Sequence, residues 1–160
     1  MNHAIFAGTF DPITLGHESV LRRAASLFET VTLAVAKAPA RKTLLTFEER
    51  LTLAGLAASS LPNVTAEGFD GLLIHFAEKK GASALIRGIR GAQDFEYEAA
   101  MALANEKLSP GLVTVFLPAS SASGPVSATL VREIFSLGGD IRPFVSPKVC
   151  EYLSKKRSGR

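Results

Sequence analysis

The chain has 160 residues, a single cysteine and a net charge of +3. At roughly 100–200 residues per domain, that length makes one domain, and one thiol excludes an internal disulfide framework and any multi-cysteine metal site. Apolar residues are 47% and charged residues 21% of the chain, the proportions of a globular fold, and no apolar run nears the roughly 18 residues of a membrane span.

Met1-Asn2-His3 lacks the basic start and long apolar stretch of a signal peptide, so a cytoplasmic location is expected. Ala4-Ile5-Phe6-Ala7 reads as a strand, followed by the turn-rich loop Gly8-Thr9-Phe10-Asp11-Pro12-Ile13-Thr14-Leu15-Gly16. Val20, Leu21, Ala24, Leu27 and Phe28 then recur at helical spacing. Residues 30–36 are β-branched and apolar, a second strand. Thr46-Phe47-Glu48-Glu49 has the spacing of a capping box and opens a helix that stops before Pro62.

Residues 64–69 form a third strand. Asp70 is placed to cap a helix whose periodicity buries Leu72 and Leu73 and which ends at Lys79-Lys80-Gly81. Residues 84–86 are a fourth strand, running into Arg87-Gly88-Ile89-Arg90-Gly91. Residues 94–108 make the longest helix, and residues 112–117 a fifth strand. A small-residue loop leads to Ser127, the cap of a helix to Leu137. Ser146-Pro147 opens the last helix, with proline at its first position. The positive excess lies in the last ten residues, where Lys155, Lys156, Arg157 and Arg160 face one acid, Glu151. Elsewhere acids and bases balance. The expected division is a folded domain over 1–154 and a basic flexible tail over 155–160, with neither nucleic acid nor membrane as partner.

Strands alternating with helices predict an α/β fold, a five-stranded parallel sheet with helices on both faces. Ligands of such sheets sit where strands end and helices begin. The loops there hold the unusual residues. His17 falls at a helix start, where unpaired N–H groups and the helix dipole attract anions; a structural capping role is equally compatible with it. Arg87 and Arg90 leave the end of a strand between glycines, and two guanidinium forks suit phosphate-bearing ligands. The hydroxyl-rich segment 119–129 suits a backbone cradle for phosphates. Arg132 can reach back to the same phosphates or stand in solvent. Asp94, Glu98 and Asn105 share one helix face, with Phe95, Ala99, Ala102 and Leu103 on another. His75 reads as a helix-surface residue, and His3 and Cys150 have no partner at metal-ligand spacing. Neither the Gly-x-Gly-x-x-Gly of dinucleotide enzymes nor the P-loop occurs.

Gly8-Thr9-Phe10-Asp11-Pro12-Ile13-Thr14-Leu15-Gly16-His17 resembles the Thr/His-x-Gly-His signature of the nucleotidyltransferase superfamily, and in its full length it is similar to bacterial phosphopantetheine adenylyltransferases. Thr46-Phe47-Glu48-Glu49-Arg50, Leu85-Ile86-Arg87-Gly88-Ile89-Arg90, Asp94-Phe95-Glu96-Tyr97-Glu98 and Val126-Ser127-Ala128-Thr129-Leu130-Val131-Arg132 agree with that family in order and spacing. The resemblance implies a single-domain Rossmann-like nucleotidyltransferase fold. It also implies reversible transfer of the adenylyl group of ATP to 4′-phosphopantetheine, giving dephospho-coenzyme A and pyrophosphate in coenzyme A biosynthesis, with Mg2+ carried by ATP, no protein metal site, and a homohexamer.

By the same resemblance, His17 and Arg90 are catalytic. Thr9, Phe10, His17, Gly88, Ile89, Arg90, Glu98, Ser123, Gly124, Pro125, Val126, Ser127, Ala128 and Thr129 bind ATP. Thr9, Arg41, Leu73 and Arg87 bind phosphopantetheine. The sequence departs from the family at Ala7, where proline is usual, at Ser123, where an aromatic is common, and at Arg41, where lysine is usual and Lys42 stands adjacent. A relative with another acceptor, such as nicotinate mononucleotide or glycerol phosphate, predicts different strings from those at 85–98. A non-catalytic nucleotide or nucleic-acid module would not need His17, Arg87 and Arg90.

Overall fold

The computed structural model describes residues 2–120 and 126–159. Its strands are β1 (His3–Gly8), β2 (Thr30–Ala36), β3 (Val64–Phe69), β4 (Ala84–Ile89) and β5 (Val113–Pro118). Its helices, among the described residues, are α1 (Leu15–Leu27), α2 (Phe47–Ala58), α3 (Leu73–Lys79), α4 (Ala92–Leu108), α5 (Ala128–Ser136) and α6 (Pro147–Ser158). All four strand pairings are parallel, in the order β3-β2-β1-β4-β5. This is the Rossmann-like α/β sheet expected from the alternation of elements.

Alternate residues of the central strand face opposite layers. Ala4 and Phe6 join Val20, Leu21, Leu33, Leu53, Val131, Val149 and Leu153, a core shared with α1, α2, α5 and α6. Ile5 and Ala7 join Ile74, Ala77, Leu85 and Leu112 on the face of α3. The edge-to-face contact of Phe95 with Phe116 and the pairing of Glu98 with Arg87 place α4 on that second face. Full burial of each large apolar side chain contributes roughly 1.5–3 kcal/mol, so the central strands anchor the molecule.

The chain reverses direction of winding at β1, whose neighbours are β2 and β4. The β1–β2 register spans His3–Thr30 to Gly8–Val35, whereas β1 and β4 pair from Ala4–Ala84 to Phe6–Ile86. Past Phe6 and Ile86 the two strands part, and a cavity opens in the gap. That is the topological switch point at which open parallel sheets bind ligands.

Three local readings are corrected. Asp70 does not cap α3; its carboxylate accepts from the N–H of Gly71, and the helix begins after Leu72 without a side-chain cap. Leu72 is 53% exposed rather than in the core, because the later helix start turns it outward. The basic segment is no flexible tail, since residues 155–158 are the last turn of α6. Lys156 Nζ donates to Glu49 Oε1 at 2.9 Å and the Tyr152 hydroxyl donates to the same oxygen at 3.3 Å. Arg157 stacks 4.2 Å over the Phe135 ring and donates to the carbonyls of Phe135 and Gly139. No helix among the described residues is long and apolar enough to cross a membrane.

Candidate active site

The cavity at the β1–β4 gap has a volume of about 530 Å³. Five segments meet there: the first loop with the start of α1, the loop after β2, the start of α3, the end of β4 with the first turns of α4, and the start of α5.

The first loop is shaped from within. Phe10 has a left-handed backbone with φ +50°, a conformation that costs a side-chain-bearing residue about 1–3 kcal/mol. Its buried ring meets Gly8, where a Cβ would come within 3.1 Å of it, and stands edge-on to His17 at 5.0 Å between ring centres. Thr14 caps α1. The N–H of His17 donates to Thr14 Oγ1 at 3.3 Å, and the N–H of Thr14 donates to His17 Nδ1 at 3.0 Å. This is a capping box in which histidine takes the usual place of glutamate. The capping and ligand roles of His17 are therefore compatible. Nδ1 is an acceptor, so in the neutral ring the proton lies on Nε2, leaving that nitrogen a donor on a residue that lines the cavity. Burial, then the positive fields of Arg90 and Arg87, lower the His17 pKa to about 4. The imidazole is neutral at pH 7, and the cavity's positive charge comes from arginines.

Arg50 of α2 is 1% exposed. Its Nη1 donates to the carbonyls of Thr9 and Ala36, each at 2.8 Å. It ties the ends of β1 and β2 together behind the first loop. Nothing in the periodicity of α2 distinguishes Arg50 from a surface base; its place at the end of the string Thr46-Phe47-Glu48-Glu49-Arg50 is the hint the sequence offers.

On the other side of the gap, β4 continues to Ile89 and carries Arg87 to its end. Arg87 is gripped by Glu98, with Nε and Nη2 each donating to a separate carboxylate oxygen at 2.7 Å. Arg90 is held by Asp94, whose Oδ2 accepts from the backbone N–H and from Nε at 3.1 and 3.0 Å. The arginine side-chain hydrogen bond holds the Asp94 carboxyl below its ordinary pKa. Both forks are thus aimed by carboxylates from one helix, and bidentate pairing fixes their planes. Gly88 lets β4 approach α1: a Cβ there would lie 3.1 Å from Val20 Cγ2.

Of the expected site residues that the structure describes, Thr9, Phe10, His17, Arg41, Leu73, Arg87, Gly88, Arg90, Glu98, Val126, Ser127, Ala128 and Thr129 line this one cavity. Ile89 does not. Ser123, Gly124 and Pro125 lie outside the described residues. Arg41 lines the cavity and Lys42 does not. Ser127 caps α5 by accepting from the N–H of Leu130 at 3.2 Å. Arg132 neither reaches into the cavity nor stands in solvent; it donates to the Asp11 carbonyl at 2.8 Å and to Thr129 Oγ1 at 3.0 Å. Asp11, Thr14, Phe69 and Asp94 also line the cavity and were not singled out as ligand contacts.

A neutral N–H donor, two guanidinium groups held by carboxylates and the starts of α1, α3, α4 and α5 around one cleft suit a polyphosphate and favour charge stabilisation over covalent chemistry. The class agrees with comparison to known proteins: residues 5–134 match the cytidylyltransferase-like family. The fold is shared with the nicotinic acid mononucleotide adenylyltransferase of Plasmodium falciparum complexed with NaAD, at TM-score 0.71 and 16% identity over 97% of this chain and 95% of that one. Within the class the sequence relatives are more specific. The phosphopantetheine adenylyltransferase of Methylobacillus flagellatus is 49% identical over 152 residues, 95% of each chain. That of Acidovorax sp. (strain JS42) is 49% identical over 153 residues, 96% of this chain and 93% of its own. The chain belongs to the phosphopantetheine adenylyltransferase family.

Proposed function

We propose that this protein transfers the adenylyl group of ATP to 4′-phosphopantetheine, releasing pyrophosphate and forming dephospho-coenzyme A, reversibly. The observation that carries the reading is the pair of arginines at the β1–β4 gap, each oriented by its own carboxylate and both near enough to lower the pKa of His17 in the same cavity. The acceptor is a phosphate monoester, anionic at neutral pH. Its oxygen forms a bond to the α-phosphorus of ATP as the bond from that phosphorus to pyrophosphate breaks. No general base and no covalent intermediate on the enzyme are needed, so positioning and charge stabilisation supply the rate.

In this reading His17 donates from Nε2 to the phosphates of ATP, and Arg90 shares the charge that develops at the α-phosphorus. Arg87 and Arg41 meet the phosphate of the acceptor, Thr9 orients both ligands, and Leu73 lies along the pantetheine arm. Glu98 and the hydroxyl-rich loop before α5 hold the nucleotide. The pairing of Glu98 with Arg87 gives that carboxylate a second task.

Magnesium chemistry fits this donor set only as an ion carried by ATP. Among the described residues no three His, Cys, Asp or Glu side chains gather as a metal site, and the cavity carboxylates Asp11, Asp94 and Glu98 are taken up by amides and arginines. Such an ion would bind through phosphate oxygens and water, shielding the charge of the leaving pyrophosphate.

The proposal includes a cytoplasmic location and a homohexamer. Helix α4 has no buried residue, and Phe95, Tyr97, Met101 and Leu103 stand 44–66% exposed on it. That much apolar surface suits contact with further copies.

Pyrophosphate release from ATP and magnesium tests the reading, with phosphopantetheine, nicotinate mononucleotide and glycerol phosphate as alternative acceptors. Phosphopantetheine alone should support turnover. Arg87→Ala should chiefly raise the KM for phosphopantetheine, and Arg90→Ala should chiefly disturb ATP and kcat. Turnover with another acceptor and none with phosphopantetheine would refute it.

A further inference from the structure

Asp11 has no part in the roles set out above, yet its side chain is wholly enclosed at the rim of the cavity. Its two oxygens accept from the N–H groups of Leu44 and Leu45, at 2.8 and 2.9 Å. Arg132 Nε stands 3.8 Å from Oδ2, and Arg132 Nη1 donates to the Asp11 carbonyl at 2.8 Å. The same guanidinium donates to Thr129 Oγ1 at 3.0 Å.

We propose that Asp11 is a positioning residue that sets the loop bearing Arg41 and the start of α5 in one fixed geometry, so that acceptor and nucleotide contacts are aligned together. The proposal rests on the adenylyl-transfer reading for the identity of the two ligands.

The loop after β2 carries Arg41 into the cavity but is otherwise largely exposed. Its firm point is Leu45, 1% exposed, next to the two amides that Asp11 holds. A buried carboxylate is costly unless its lone pairs and charge are matched. Here two amides and the Arg132 guanidinium match it, and the buried Arg50 adds a second positive field. Arg41 and Arg132 carry like charge and are close enough for Arg41 to lower the Arg132 pKa, beneath the larger effect of burial. Asp11 is the anion that partly offsets that repulsion at Arg132. Without it the loop loses both its anchor and the charge that offsets the repulsion. A misplacement of about 1 Å at a reacting ligand costs on the order of 10²-fold in rate, so a change at Asp11 should appear in substrate parameters before it appears in folding.

The test uses the full chain with Asp11→Asn, Arg132→Lys, Arg41→Ala and the Asp11→Asn/Arg41→Ala pair, each checked for wild-type circular dichroism. KM for both substrates and kcat are read from pyrophosphate release, and ATP affinity from calorimetry. Asp11→Asn is expected to raise the KM for phosphopantetheine at least ~10-fold and weaken ATP at least ~3-fold, magnitudes of about 1.4 and 0.7 kcal/mol. Arg132→Lys, which keeps the charge and loses the fork, is expected to weaken ATP at least ~3-fold. In the Arg41→Ala background, Asp11→Asn should change the acceptor KM by less than ~3-fold, because its effect acts through that loop.

Independent, multiplying effects on the acceptor KM would overturn the proposal, as would unchanged parameters in a folded Asn variant. If the Asn variant does not fold, Arg132→Lys carries the test, and unchanged ATP affinity overturns the proposal. Should the wild type bind ATP but fail to use phosphopantetheine, the adenylyl-transfer reading falls by itself. The alignment claim is then decided by ATP affinity in Asp11→Asn and Arg132→Lys.

Discussion

In the proposed reaction His17 joins two functions in one ring, because only Nδ1 is used by the cap. Nδ1 closes the cap of α1 and Nε2 is left to donate. Removing an oriented donor of this kind costs about 10²–10³-fold in turnover, and that loss is expected for His17→Ala with the sheet intact. The ring also leaves a mark on stability. Its folded pKa of about 4 lies below the ordinary 6.5, so as pH falls the unfolded chain takes up the proton first. The stabilisation is complete above about pH 6.5 and is lost as pH falls towards 4, roughly 2 kcal/mol of it between pH 7 and 5. Urea titrations at both pH values should show this drop in wild type and a smaller one in His17→Gln; equal drops in the two proteins would place the ring in water.

Arg41 and Lys42 are neighbours in sequence, but only Arg41 borders the cavity. Arg41→Ala should therefore raise the acceptor KM more than that of ATP, and Lys42→Ala should leave both near wild type. A selective loss in Lys42→Ala alone would reverse the assignment. Side-chain chemistry made both residues candidates; one step of loop geometry separated them.

At the scale of elements, the strands and the starts of α2, α5 and α6 were legible because their signals are local, whereas the start of α3 was placed too early at Asp70. Thr46 and Glu49 announce the cap of α2, and the structure forms both bonds of that box. The cap of α1 was legible only in part, since histidine is an unusual third residue for one. Long-range partners left no local signal. Arg50 looks like a surface base until β1 and β2 bring two carbonyls to it, and Asp11 looks like a turn residue until the loop after β2 folds over it. The C-terminal bases looked like solvated charge because their partners Glu49 and Phe135 lie far away in the chain. Lys156 and Glu49 are both largely buried, with 26% and 19% of their side chains exposed. Removing residues 155–160 should cost about 1–2 kcal/mol, a fall in Tm of roughly 2–8 °C for a chain of this size. Circular-dichroism melting would detect it, and an unchanged Tm would show that α6 ends functionally before Lys155.

For the whole molecule, the order β3-β2-β1-β4-β5 divides the lining of the cavity between two halves. The segment through β3 supplies the first loop and Arg41; the segment from β4 onward supplies Arg87, Arg90 and the start of α5. The sheet joins these halves along β1 and β4, whose pairing ends at Phe6–Ile86 while the β4–β5 ladder continues to Ile89–Pro118. The cleft is therefore also a seam. A short ladder is where a native sheet opens most readily without global unfolding. Deuterium uptake by the amides of β4 should accordingly outpace that of β2, and ATP with phosphopantetheine should slow it by bridging the gap. Uptake equal in the two strands, or indifferent to both ligands, would mean that the halves breathe as one. With faster uptake in β4 that the ligands slow, the parting of two strands that makes room for chemistry doubles as a clock: how long the halves stay apart sets the interval in which product can leave.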